Sequence, residues 1–243
     1  MSLMESVKRL SFSSVSLFKN QPAAWCVRYL FNVKDEMGPA VWRGSAVEAG
    51  LDLAVMKPGT AFDDCQRVAL TSYEQEAQGE MDDKAAAERE NVTPILKQAI
   101  EAFKGYGMPT TRQFKVEGWL DGVPLPFIGY ADYGYDDAVR DLKTTLRMPS
   151  EVKPDHAMQV AFYAKQMKRD KGEVVYVTPK KFAAYTITDL DTPLNDLARS
   201  ARALCAALKT FSTPDEMASV YAPDFESFYW SPPLIERGKE IWR

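Results

Sequence analysis

Asp141, Leu142 and Lys143 place a carboxylate and an ammonium two residues apart. On a strand, side chains two apart project to the same face, so Asp141 and Lys143 would emerge together while Leu142 turns to the core. Asp132 closes the run Ile128-Gly-Tyr-Ala-Asp132, just before the turn-forming stretch Gly134 to Asp137. A hairpin through that turn sets Asp132 on the strand beside Asp141. Two converging carboxylates suit a hard divalent cation such as magnesium, which takes oxygen ligands in near-octahedral geometry. An ion so held can polarise a phosphodiester, activate water and stabilise the leaving oxygen. A lysine beside it can hold the water or neutralise developing charge.

The triplet by itself says little, because the chain has three of the form acidic-x-Lys: Asp82-Asp-Lys84, Asp141-Leu-Lys143 and Glu151-Val-Lys153. The first lies in a polar helical stretch and the third in a loop between Pro149 and Pro154. Only the middle one follows a strand that ends in Asp.

The elements that must position these residues can be read from period and punctuation. Ser13 or Ser14 is expected to cap a short helix, and Pro22 to start a second running to about Phe31. A helix from Ala40 to about Met56 carries Glu48 and Asp52 on one face. Residues 61–106 are helical in composition: Asp63 to Gln78, an exposed polar stretch from Asp82 to Glu90, and a further helix starting at Thr93-Pro94. Then the period changes to two. Arg112–Leu120, Leu125–Tyr133 and Ala138–Thr144 read as an antiparallel meander, with Asp121-Gly122 as a hairpin signal. A helix from Pro154 to about Arg169, strands at 173–178 and 182–188, and a helix from Thr192 to about Thr210 follow. The aromatic, proline-rich tail is expected to pack over the surface.

This order predicts an α/β fold: a mixed central sheet, an antiparallel meander plus further strands, flanked by helices. The expected organisation is a single domain over 1–243 with a helical insertion at 60–110. A chain of 243 residues can bury a core without disulfides. Cys26, Cys65 and Cys205 are scattered and read as reduced, buried thiols of a cytoplasmic protein. No run is apolar enough to suggest a membrane span, and the first residues do not resemble a secretory signal. The net charge of −4 argues against a protein that coats DNA non-specifically. It does not argue against a carboxylate cluster whose charge a metal would invert. Of the local basic stretches, Lys165 to Lys171 reads first as a solvated helix end. Glu117 reads as a sheet-surface residue, and Tyr73, Trp119 and Trp230 are more often core than base-stacking platforms.

Gly129-Tyr-Ala-Asp132, Asp141-Leu-Lys143-Thr-Thr and, on the next helix, Gln159-Val-Ala-Phe-Tyr163 together resemble the PD-(D/E)XK nucleases, in particular their RecB-type branch. Ser11-Phe-Ser13, Leu17-Phe18, Trp25, Arg28-Tyr-Leu30 and Arg43-Gly-Ser-Ala-Val-Glu48 are similar to the opening of those proteins. Many relatives have His where Glu48 stands. The resemblance covers most of residues 11–188 and implies a restriction-endonuclease-like core. It implies Asp132, Asp141, the Leu142 carbonyl and Glu48 as metal ligands, Lys143 as catalytic lysine, and Gln159 as the residue that orients Lys143 or a water. Tyr163 would contact DNA phosphate or support the site. His156, three residues before Gln159, is a candidate for substrate contact or for the helix start, with no role at all as the alternative.

The implied activity is a magnesium-dependent DNA exonuclease, with manganese as a substitute metal, acting on DNA ends or single strands, and a recombination partner protein is compatible with it. Several RecB-type relatives hold an iron–sulfur cluster on four cysteines. With three dispersed cysteines, none is expected here. The alternatives are a structure-specific endonuclease on the same fold and a non-catalytic DNA-binding module.

Overall fold

A computed structural model describes residues 2–243. Its elements in chain order are β1 (Leu10–Ser11), α1 (Phe12–Asn20), α2 (Pro22–Trp25), α3 (Pro39–Met56), α4 (Phe62–Ala77), α5 (Asp83–Lys104), β2 (Thr111–Gly118), β3 (Phe127–Gly134), β4 (Val139–Thr144), α6 (Pro154–Gln166), β5 (Gly172–Val177), β6 (Phe182–Ile187), α7 (Asp191–Thr210), α8 (Pro214–Ser219) and α9 (Pro232–Ile241). The architecture is the expected α/β one. A six-stranded mixed sheet runs β1-β3-β4-β5-β6, with β2 paired to β3. β3 and β4 are antiparallel, β4 and β5 parallel, β5 and β6 antiparallel, and β1 joins β3 in parallel. The parallel β4–β5 pair needs a crossover, and α6 supplies it.

The chain forms two compact units. The first comprises residues 1–36, 115–129 and 191–243. Within it, Ser11 caps α1 by accepting from the Ser14 amide at 3.3 Å, so the cap lies earlier than Ser13 or Ser14. Trp25 is buried, donates to Ser14 Oγ at 3.0 Å and stacks on Tyr29. After α2 the chain passes into a π-helical turn at Cys26–Leu30. The tail is more ordered than expected: α8 opens on a capping box between Thr213 and Glu216, and α9 buries Leu234. The Thr-x-x-Glu spacing at 213–216 was the available signal.

The second unit comprises residues 37–114 and 130–190. Here α4 and α5 pack on α3, and their buried residues join Tyr133, Leu142, Val175 and Val177 of the sheet, and Tyr135 just after β3, in one core. The approach of α3 is close. A Cβ on Gly50 would lie 2.8 Å from the Cys65 carbonyl and 2.9 Å from Leu96. The polar stretch at 82–90 is not a separate segment: α5 runs unbroken through Pro94. An interior proline costs about 3 kcal/mol. The stripe Val92, Ile95, Leu96, Ala99 and Phe103, all buried, offsets that loss and keeps the helix in one piece.

Candidate functional site

The second unit holds every residue that the sequence singled out for chemistry. The β3–β4 register pairs Tyr133 with Arg140, which sets Asp132 across from Asp141 one step along. Asp132 Oδ2 accepts from the Leu142 amide at 2.9 Å, so it is tied directly to the neighbouring strand. Leu142 itself turns into the core with α3–α5. Asp141 and Lys143 share the opposite face and form an ion pair at 2.6 Å. Asp141 is fully buried, and neither carboxylate oxygen accepts a well-aligned hydrogen bond.

The electrostatics follow from that crowding. Burial, and then the charge of Asp141, push the Asp132 carboxyl well above the usual range; Lys143 and the Leu142 amide oppose this. Burial would lower the Lys143 ammonium, but the charges of Asp141 and Asp132 outweigh it and hold the lysine protonated beyond its ordinary range. Two carboxylates facing one lysine are not neutralised by it.

Glu48 comes from α3. Burial raises its carboxyl, as do the charges of Asp52 and Asp141. The Glu48 carboxylate accepts from the Gln113 side-chain amide, which opposes the rise. Gln113 lies in β2 with φ of +46°, a left-handed conformation that costs a non-glycine residue of order 1 kcal/mol. One turn beyond Glu48, Asp52 is buried, accepts from the Tyr133 hydroxyl at 2.8 Å and pairs with Arg112 at 2.5 Å. Ser45, Glu48, Ala49, Asp52, Arg112 and Gln113 all border a pocket of about 520 Å³. Gln113 and Arg112 were missed as site residues. Their sequence carries only a basic strand start, and only pairing across the fold reveals their partners.

From α6, Gln159 donates to the Tyr163 hydroxyl at 3.1 Å. Tyr163 is only 3% exposed, and it lies within the field of Asp141, Asp132 and Lys143. Its burial favours the supporting role over direct contact with a phosphate. His156 Nδ1 is 2.7 Å from the Tyr176 hydroxyl, and Tyr176 faces Lys143 in the β4–β5 register. Burial, then Lys143 and Lys153, push His156 down to about 4, so it is neutral at physiological pH.

Among the described residues, no three His, Cys, Asp or Glu side chains are gathered as a ready metal cluster. The donor set nonetheless fits a hard divalent cation. Asp132, Asp141 and Glu48 feel one another's charge, and the buried oxygens of Asp141 accept no well-aligned hydrogen bond. The three cysteines are buried free thiols. Tyr73 and Trp230 are core residues, and Trp119 is 65% exposed. In the basic stretch at 165–171, Arg169 donates to the Tyr135 carbonyl at 2.6 Å and Lys171 pairs with Asp137 at 3.2 Å, so both brace the fold.

A sequence profile of the PD-(D/E)XK nuclease superfamily matches residues 9–222. No curated protein matches the chain. A solved structure titled "Crystal structure of SSO0001" shares 21% identity over 66% of this chain and 85% of that one, with a TM-score of 0.34, a likeness too slight to build on. The profile spans most of the chain, which therefore belongs to the PD-(D/E)XK nuclease superfamily. Its mixed sheet flanked by helices is the restriction-endonuclease-like architecture of that group. Membership implies nuclease activity, with DNA as substrate and divalent metals as the usual cofactor.

Proposed function

We propose that this chain is a magnesium-dependent deoxyribonuclease of the RecB-type branch, without an iron–sulfur cluster, that digests DNA from ends or along single strands. The observation that carries the reading is Asp141: a buried carboxylate with no well-aligned hydrogen-bond donor, beside Lys143 and across the hairpin from Asp132. A purely structural acid would be expected to have its oxygens satisfied.

In this reading Glu48, Asp132, Asp141 and the Leu142 carbonyl hold the metal. Bound magnesium, for which manganese substitutes, supplies Lewis acidity at the phosphate and stabilises the leaving oxygen. Lys143, kept as an ammonium, orients the attacking water and offsets charge that grows on the phosphate. Gln159 fixes Tyr163, and Tyr163 packs the Asp141–Lys143 pair into one geometry. Neutral His156 offers a hydrogen bond to substrate. The end-directed preference draws support from α4 and α5, which pack on the same helix that carries Glu48 and so wall that flank of the unit. It also draws on the Gln159…Tyr163 spacing of the RecB-type branch. A recombination partner protein is compatible with such an activity.

End-labelled single-stranded, double-stranded and covalently closed circular DNA, each with and without magnesium, test the reading. The wild-type chain should shorten the linear substrates and leave the circle intact. Asp141→Ala should lose cleavage by at least about 1,000-fold, the upper scale for removing one electrostatic stabiliser. Undiminished cleavage by Asp141→Ala would refute the site, and cleavage of the circle would favour an endonuclease.

A further inference from the structure

Beyond Lys143, β4 leads into a loop that carries Leu146, Arg147 and Met148, and β5 leads into the turn Thr178-Pro-Lys-Lys181. The two segments line a pocket of about 340 Å³, within the usual size of ligand sites. They are joined by a hydrogen bond from the Thr145 amide to the Val177 carbonyl at 2.9 Å. Thr178 fixes the turn: its Oγ1 accepts from the amides of Lys180 and Lys181 at 3.3 and 3.0 Å and donates to the Lys181 carbonyl at 2.8 Å. The two lysines are thus presented by an ordered turn.

The pocket gathers three basic side chains. Among the described residues, the side chains of Arg147, Lys180 and Lys181 have no carboxylate partner, on a chain whose net charge is −4. Four other basic side chains of this unit, Arg43, Arg112, Arg140 and Lys171, each have one; Lys57, Lys84, Lys97 and Lys153 do not, but they do not line this pocket. Three cations around one concavity repel one another unless an anion joins them. Exposed apolar groups are interleaved with the charges: Leu146 in the loop and Phe182, next in the chain to Lys181 and 41% exposed. Basic groups that track a phosphate backbone, alternating with flat or apolar surface for bases, make a single-strand binding surface. A duplex hides its bases and would leave Leu146 and Phe182 unused.

The pocket adjoins the proposed active site along two strands. Arg147 is four residues after Lys143 on the β4 side, a reach of at most about 14 Å. Thr178 is two residues after Tyr176, the register partner of Lys143. At about 3.4 Å per nucleotide, that reach corresponds to roughly four nucleotides of a stacked strand.

We propose that the pocket formed by the loop after β4 and the β5–β6 turn binds the phosphodiester backbone of a single nucleic-acid strand, a few nucleotides from the Lys143 end of β4, through Arg147, Lys180 and Lys181. The assignment rests on the nuclease reading for what happens to that strand. The binding itself can be measured without cleavage.

The test uses the full chain in EDTA, with a fluorescein-labelled 20-nucleotide thymidine strand and a 20-base-pair duplex, read by anisotropy at several salt concentrations. R147A/K180A/K181A should bind the single strand at least about tenfold more weakly. It should also flatten the slope of log K against log salt by about 2, three contacts at roughly 0.7 each. The charge-keeping variant R147K/K180R/K181R should bind within about threefold of wild type, which separates charge from shape. The proposal is overturned if the alanine variant keeps wild-type affinity and slope, if the charge-keeping variant loses as much, if wild type does not bind, or if the duplex suffers the larger loss. An inactive wild-type chain whose binding still depends on these cations would refute the nuclease reading alone. An active chain whose alanine variant binds and digests normally would refute the pocket alone.

Discussion

Two charged clusters sit on β4 only a few residues apart, and they are built on opposite plans. At the start of the strand, buried Arg140 donates to Glu173 at 2.8 Å and to both oxygens of Asp137 at 3.0 and 2.9 Å. Its guanidinium also lies over the rings of Tyr106 and Tyr135, and Lys171 completes the set. Two acids meet two bases there, and Arg140 holds the Asp137 carboxyl well below the usual range. Further along, Glu48, Asp132 and Asp141 share one lysine, two of the three acids are pushed upward, and Asp141 lacks good hydrogen bonds. Burying charge is tolerable when it is paired and hydrogen-bonded, and costly otherwise. The first cluster therefore holds the hairpin in register. The second stores an imbalance that a cation would relieve, which is the pattern expected of a functional site.

Substitutions can break this contrast, and the largest effect is expected at the unbalanced cluster. Asp132→Asn keeps an oxygen for the Leu142 amide but removes a ligand and one of the repelling charges. DNA cleavage should fall by at least about 100-fold, while the denaturation midpoint without metal should stay level or rise. A loss of stability comparable to a core mutant would show that Asp132 is structural. Arg140→Met should do the reverse. It leaves buried Glu173 with only the longer Lys171 contact at 3.8 Å, and urea denaturation should report a loss of about 3 kcal/mol. An unchanged midpoint would remove Arg140 from its bracing role.

His156 gives a smaller, pH-dependent effect. Its folded-state value of about 4 lies below the ordinary 6.5, because burial and then Lys143 and Lys153 disfavour the imidazolium. Between those values the unfolded chain binds more protons. The contribution is therefore complete above pH 6.5 and is lost as pH falls toward 4, by as much as about 3 kcal/mol. His156→Phe should flatten the stability profile across that window. A profile identical to wild type would assign the pH dependence elsewhere. Asp137→Asn should show the least, because Asp137 is half exposed and its pairing is screened. Its carboxyl is depressed, so the wild-type contribution is present above about pH 4 and fades on acidification. The variant should therefore lose less stability than wild type as pH falls below about 4 in thermal melts.

The strand pattern was readable because a period of two and turn residues such as Asp121-Gly122 act locally. The β2, β3 and β4 spans differ from the expected ones by only a residue or two at each end. The Asp141–Lys143 spacing is equally local, and so is the Gln159–Tyr163 pair one turn apart on α6. Local signals misled where packing dominates. Pro94 reads as a helix start, yet the apolar stripe on both sides of it carries α5 through.

The sequence by itself therefore determined the strand-and-helix order, the side of β4 on which Asp141 and Lys143 emerge, and the placement of Asp132 on the neighbouring strand, because dihedral periodicity fixes those within a few residues. Tertiary structure alone decided how these charges are met. The completeness of the Arg140 cage, the poorly met oxygens of Asp141, the grip of Gln113 on Glu48 and, among the described residues, the lack of a carboxylate partner for Arg147, Lys180 and Lys181 are all decided by how distant parts of the chain pack. Burial and pairing set the energy of a charge, and only the folded chain determines both.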